Sequence, residues 1–72
     1  MSRIEEKAKA EFERYAKETL SVEDIGGSLY AFGSELACLR LLNVYRNCGD
    51  AVKVAYSENQ NTWFFRLERS TM

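Results

Sequence analysis

The sequence predicts an α+β fold, with two helices packed on one face of a three-stranded antiparallel sheet in the order helix, strand, helix, strand, strand. Three observations lead there. Residues 1–20 and 34–48 each repeat apolar side chains at three- and four-residue spacing, the period of a helix with one buried face. Residues 51–69 instead alternate apolar and polar positions on either side of an Asn-rich turn, the period of a half-buried hairpin. Residues 28–33 form a short apolar run closed by a glycine, which reads as a further strand. The 72 residues make a single domain spanning 1–72, without internal repeat or linker. At 46% hydrophobic and 29% charged residues, the composition belongs to a folded chain rather than a disordered one.

The first helix opens on a capping box, Ser2 and Glu5, in which each side chain satisfies the other's free backbone N–H. Ile4, Ala8, Phe12, Tyr15 and Thr19 are expected on its buried stripe, and the helix is expected to run to about Leu20. Glu5–Lys9, Glu13–Lys17 and Arg14–Glu18 lie four apart on the solvated side. Residues 21–27 read as a connector, with a single helical turn available at Ser21-Val22-Glu23-Asp24 and a flexible turn at Gly26-Gly27. That glycine pair has no third glycine and no following Lys-Ser/Thr, so it is not a phosphate-binding loop.

In the strand at 28–33, Leu29 and Ala31 face one way while Tyr30 and Phe32 face the other. Gly33 ends it, Ser34 caps the second helix, and Glu35 complements the positive end of the helix dipole. At 100° per residue, Ala37, Cys38, Leu41, Leu42, Val44 and Tyr45 fill one arc, the core face. Leu36 and Leu39 fall outside it. This helix is therefore apolar over more of its circumference than one small core uses, and either the first helix or another chain must cover the surplus. Gly49 is the expected left-handed terminus.

The hairpin places Val52, Val54 and Tyr56 on one face of its first strand, and Trp63, Phe65 and Leu67 on the same face of its second. A turn at Asn59-Gln60-Asn61-Thr62 sets Tyr56 opposite Phe65, Val54 opposite Leu67 and Lys53 opposite Glu68. A right-handed crossover from the earlier strand then puts the last strand between the other two, in the order 1-3-2. Helices cover one face of that sheet. Phe64, Arg66 and Lys53 lie on the other, joined there by either Tyr30 with Phe32 or Leu29 with Ala31.

Chemistry is sparse. The chain has no histidine, the commonest general base and metal ligand, so neither a zinc site nor a histidine-activated nucleophile can be assembled within it. Cys38 and Cys48 stand ten residues apart, about 15 Å along a helix at 1.5 Å per residue, too far for a disulfide. Cys48 is the one conceivable nucleophile. No enzyme activity, cofactor or metal is expected, and no apolar run is long enough to span a membrane, so a cytoplasmic protein is expected. Residues 1–39 carry five Lys/Arg against eight Asp/Glu and residues 40–72 five against three, and the net charge of −1 speaks against an obligate nucleic-acid binder.

What remains is function by contact. The sequence leads to an expected non-enzymatic interaction module, a regulator, adaptor or inhibitor that binds a larger protein partner or itself as a homodimer. Tyr30, Phe32, Phe64 and Arg66 on the sheet, with Leu36, Leu39 and Arg40 on the helix, are its expected contact residues. The alternative is a sheet-face binder of single-stranded nucleic acid using Phe64 and Arg66. A thiol-dependent role for Cys48 is a third.

Overall fold

Two adjacent glycines produce the first departure from the expected order. In the computed structural model, which describes residues 3–68, Gly26 and Gly27 have φ of 59° and 86°. Positive φ at both central positions is the requirement of a two-residue type I′ hairpin, whose twist matches that of its flanking strands. Residues expected as a connector therefore form an edge strand. The element order is α1 (Arg3–Ala16), β1 (Ser21–Ile25), β2 (Ser28–Gly33), α2 (Glu35–Asn47), β3 (Ala51–Ser57) and β4 (Thr62–Glu68). The class is α+β as expected, but the sheet has four antiparallel strands, in the order β1-β2-β4-β3. The three expected strands keep their relative order, with the last one central.

The first helix ends at Ala16, four residues before its expected limit. Lys17 adopts φ 61° and donates its N–H to Glu13 O at 2.8 Å, turning the chain back toward β1. A non-glycine residue in this region costs roughly 1–2 kcal/mol. The turn is held by the Glu13 carboxylate, which accepts the Leu20 N–H at 2.8 Å, and by burial of the Leu20 side chain. The buried stripe is correspondingly Ala8, Phe12 and Ala16, followed by Leu20 beyond the helix, while Tyr15 and Thr19 are exposed. Lys17 and Glu18 lie past the last turn, so the spacing argument for their ion pairs does not apply. Ser2 of the expected capping box lies outside the described residues, as does the side chain of Ile4. Glu5 serves a tertiary contact instead: its Oε2 accepts the Asp24 N–H of edge strand β1 at 2.8 Å.

The second helix follows expectation. Ser34 Oγ accepts the Ala37 N–H at 3.1 Å and donates to Glu18 Oε2 at 2.9 Å, so the cap is itself anchored to the segment after α1. At the other end Gly49 has φ 86°, its N–H reaches Arg46 O, and the Asp50 N–H reaches Tyr45 O, the paired bonds of a Schellman terminus. Ala37, Cys38, Leu41 and Tyr45 are buried, with Leu42 and Val44 half-buried beside them.

The hairpin register corrects one expectation. Ser57 pairs with Thr62 around a loop of residues 58–61, so Tyr56 faces Trp63, Val54 faces Phe65 and Lys53 faces Arg66. The loop starts one residue earlier than expected because Ser57 Oγ accepts the Gln60 N–H, Asn61 takes φ 58°, and Tyr56 donates to Asn61 Oδ1 at 2.8 Å. The resulting slip is two residues. An even slip preserves which face each side chain occupies and changes only its partner. The expected Lys53–Glu68 pair is therefore replaced by Lys53 beside Arg66.

Both helices lie on one side of the sheet, α1 over β1 and β2, α2 over β3 and β4. At the centre, the Phe12 ring meets those of Tyr45 and Phe65 edge-on, each at 5.5 Å, while Tyr45 and Phe65 are 5.6 Å apart. One ring comes from α1, one from α2 and one from β4. The Tyr45 hydroxyl escapes burial without a partner by donating to Glu11 at 2.8 Å.

Gly33 admits Leu20 to this core: a Cβ at Gly33 would lie 2.5 Å from Leu20 Cδ2. Gly33→Ala is expected to lower stability by about 1–3 kcal/mol in urea denaturation, the range of overpacked cores. An unchanged midpoint would show that Leu20 repacks freely.

Candidate functional site

Among the described residues no element covers the second face of the sheet, and the register arranges that face in three cross-strand rows. The first runs Ser21–Phe32–Phe64–Ala55, the second Glu23–Tyr30–Arg66–Lys53, and the third Ile25–Ser28–Glu68–Ala51. Of the two pairs that the sequence offered for this face, it is Tyr30 and Phe32 that join Phe64, because Leu29 and Ala31 are buried beneath the helices.

Those three aromatics form a cluster on the two central strands. Tyr30 and Phe32 stack at 6.3 Å with planes 12° apart, and Phe64 lies 5.7 Å from Tyr30 and 6.4 Å from Phe32. All three are half-buried, mainly by lying against one another and the sheet. Arg66 lies beside them, its guanidinium carbon 5.8 Å from the Tyr30 ring centroid, a cation–π distance. Its Nε and Nη2 each donate to Ser28 Oγ at 3.4 Å, which keeps the side chain flat along the strands. Ile25 adds an exposed apolar corner at the β1 end of the third row.

The remaining expected contact residues lie elsewhere. Leu36 and Leu39, 56% and 44% exposed, occupy the face of α2 turned away from the sheet, so α1 does not cover them. Arg40 belongs to neither surface: its Nη1 donates to Ala16 O at 2.9 Å, satisfying a free carbonyl at the negative end of α1. The seven residues thus divide into a sheet patch of Tyr30, Phe32, Phe64 and Arg66, a helix patch of Leu36 and Leu39, and an interhelical tie.

Glu23 and Ile25 were missed because the segment containing them was read as a connector. The signal was present in the sequence. Two glycines between Val22-Glu23-Asp24-Ile25 and an apolar strand match the shortest hairpin loop.

The thiols differ in environment. Cys38 is buried, and desolvation, reinforced by the charge of Glu18, pushes its pKa up to about 11 despite a backbone hydrogen bond from Gly33. Such a thiol is not a nucleophile at neutral pH. Cys48 is exposed at the α2 terminus. Among the described residues no three His, Cys, Asp or Glu side chains gather as a metal site would require, and no helix is long and apolar enough to cross a membrane. Searches of protein-family models, curated proteins and solved structures return no match for this chain.

A disulfide reagent at pH 8 is expected to label one thiol per native chain, Cys48, and two in denaturant; rapid native labelling of both would contradict the burial of Cys38. Tyr45 is also shifted upward, by burial first and then by its hydrogen bond to Glu11. A group whose folded pKa is raised stabilises the fold fully below its unfolded pKa and ceases to do so as pH rises through the folded one. The urea midpoint should therefore hold to pH 9.0 and fall as the pH climbs toward about 11, with a shallower fall in Cys38→Ala.

Proposed function

We propose that this chain is a non-enzymatic protein-interaction module, acting by contact as a small regulator, adaptor or inhibitor does, and that its contact surface is the open face of the sheet. The observation that carries this reading is the Tyr30–Phe32–Phe64 cluster, held on the two central strands with Arg66 alongside. Aromatic residues and arginine dominate the energetic centres of protein interfaces, where large rigid side chains gain contact area at little entropic cost. Here their backbone is hydrogen-bonded on both sides, so little ordering remains for association to supply. Contact rather than catalysis suits this face, since Ser28 beneath the guanidinium is 5% exposed and its hydroxyl already accepts from Arg66.

Stacked aromatics beside Arg66 and Lys53 also match how sheets hold single-stranded nucleic acid. Charge favours the protein reading. Glu23 and Glu68 share the face with Lys53 and Arg66, two acids against two bases, which gives a polyanion no net attraction.

Replacing Phe64 with the photoreactive p-benzoylphenylalanine, and Leu39 in a separate variant, tests the assignment in extract of cells that make the protein. Irradiation is expected to give a nuclease-resistant protein adduct from position 64. A nuclease-sensitive adduct there, no adduct there, or adducts from position 39 alone would overturn the reading.

A further inference from the structure

We propose that the partner on this face is a second copy of the chain, docked face to face about a two-fold axis that runs parallel to the strands between β2 and β4. The inference rests on the open face being a protein-contact surface and names what that surface contacts.

The strand order β1-β2-β4-β3 places two strands on either side of the β2–β4 midline. A two-fold along that midline lays β1 over the partner's β3 and β2 over its β4, and keeps each cross-strand row at its own height. In the middle row, Glu23 then meets a second Lys53 and Tyr30 meets a second Arg66. In the first row Phe32 meets a second Phe64; in the third, exposed Ile25 meets a second Ala51. Acid lies over base, ring over cation, ring over ring and apolar over apolar. The alternative two-fold, across the strands through the middle row, lays each strand on its own copy, so that Glu23 meets Glu23, Arg66 meets Arg66 and Lys53 meets Lys53. Like charges at an interface suppress that arrangement. The charges select one axis, and the contact it gives is isologous, the form that dominates among dimers.

A second observation points the same way. Within one chain Lys53 stands directly opposite Arg66, a like-charge cross-strand pair that disfavours the isolated sheet. The proposed docking places a carboxylate, Glu23 of the second copy, against Lys53 and relieves it. An arbitrary partner has no reason to match an acid on one edge strand with a base on the other; a second copy does so by construction.

Four strands about 4.8 Å apart and six residues deep at about 3.3 Å each give a plan area of roughly 400 Å² per face. That is a contact at the small end of specific interfaces, so dimerisation should appear in the micromolar range rather than below it. Two such sheets pack about 10 Å apart.

Sedimentation equilibrium on the purified chain from about 1 µM to 1 mM, at low salt, tests this. The wild type is expected to dimerise. Glu23→Lys and Lys53→Glu are each expected to raise the dissociation constant about fivefold or more, since each brings like charges together at both symmetry-related contacts. The Glu23→Lys/Lys53→Glu double variant, and an equimolar mixture of the two single variants, are expected to restore it. Circular dichroism on each variant confirms that the fold is retained. A wild type that stays monomeric, a double variant that is folded but not restored, or a dimer abolished by Leu39→Asp and indifferent to the charge swaps would overturn the proposal. If purified chains stay monomeric while position 64 photocrosslinks a different protein, the contact surface stands and self-pairing falls.

Discussion

The contact among Phe12, Tyr45 and Phe65 is the constraint on which the rest of the molecule depends. Each ring belongs to a different element, and each meets the other two within 5.6 Å, so α1, α2 and the sheet are located by one shared cluster. In so short a chain no second core exists to position a helix independently. Around the cluster, the ties that orient the helices all run between elements: Arg40 to the end of α1, Glu18 to the cap of α2, Glu5 to the edge of β1. Carboxylates that spacing alone would assign to Lys9, Lys17 and Arg14 hold backbone N–H groups and a hydroxyl instead, where a charged acceptor is worth more than a solvated ion pair.

A single aromatic centre has a topological consequence. Both helices must lie on the side of the sheet that presents Phe65, so the other side receives neither. Strand alternation then sends Tyr30, Phe32 and Phe64 to the uncovered side with the same necessity that sends Leu29, Ala31 and Phe65 inward. The exposed cluster and the buried one are two faces of the same strands. Burying Phe65 is what presents Phe64.

The glycine hairpin decides what kind of surface that is. Without β1 the sheet would have three strands, its middle strand would be β4, and the open face would carry Lys53 and Arg66 without a counter-charge beyond Glu68. Gly26 and Gly27, both at positive φ, fold Glu23 and Ile25 onto the far edge. The face thereby acquires an acid opposite its bases and two strands on each side of its midline, the property on which the proposed self-pairing turns.

Much of this was legible in the sequence because it depends on local periodicity. The α+β class, the serine cap and glycine terminus of α2 and the inward and outward residues of both later strands follow from spacings of two and 3.6 residues and from backbone preferences at Ser34 and Gly49, while the central place of β4 follows from the handedness of the crossover. Alternation put Tyr30 and Phe32 together on one side of their strand, but only the burial of Leu29 and Ala31 beneath the helices placed that side with Phe64. Tertiary structure decided what local pattern leaves degenerate. Where α1 stops depends on Glu13 reaching Leu20. A hairpin slipped by two residues presents the same faces, so only the loop contacts of Ser57 and Asn61 choose Arg66 over Glu68 as the neighbour of Lys53. Periodicity carries one-body information, the face on which a residue lies; the pairwise identity of its neighbours arises only when the chain closes on itself.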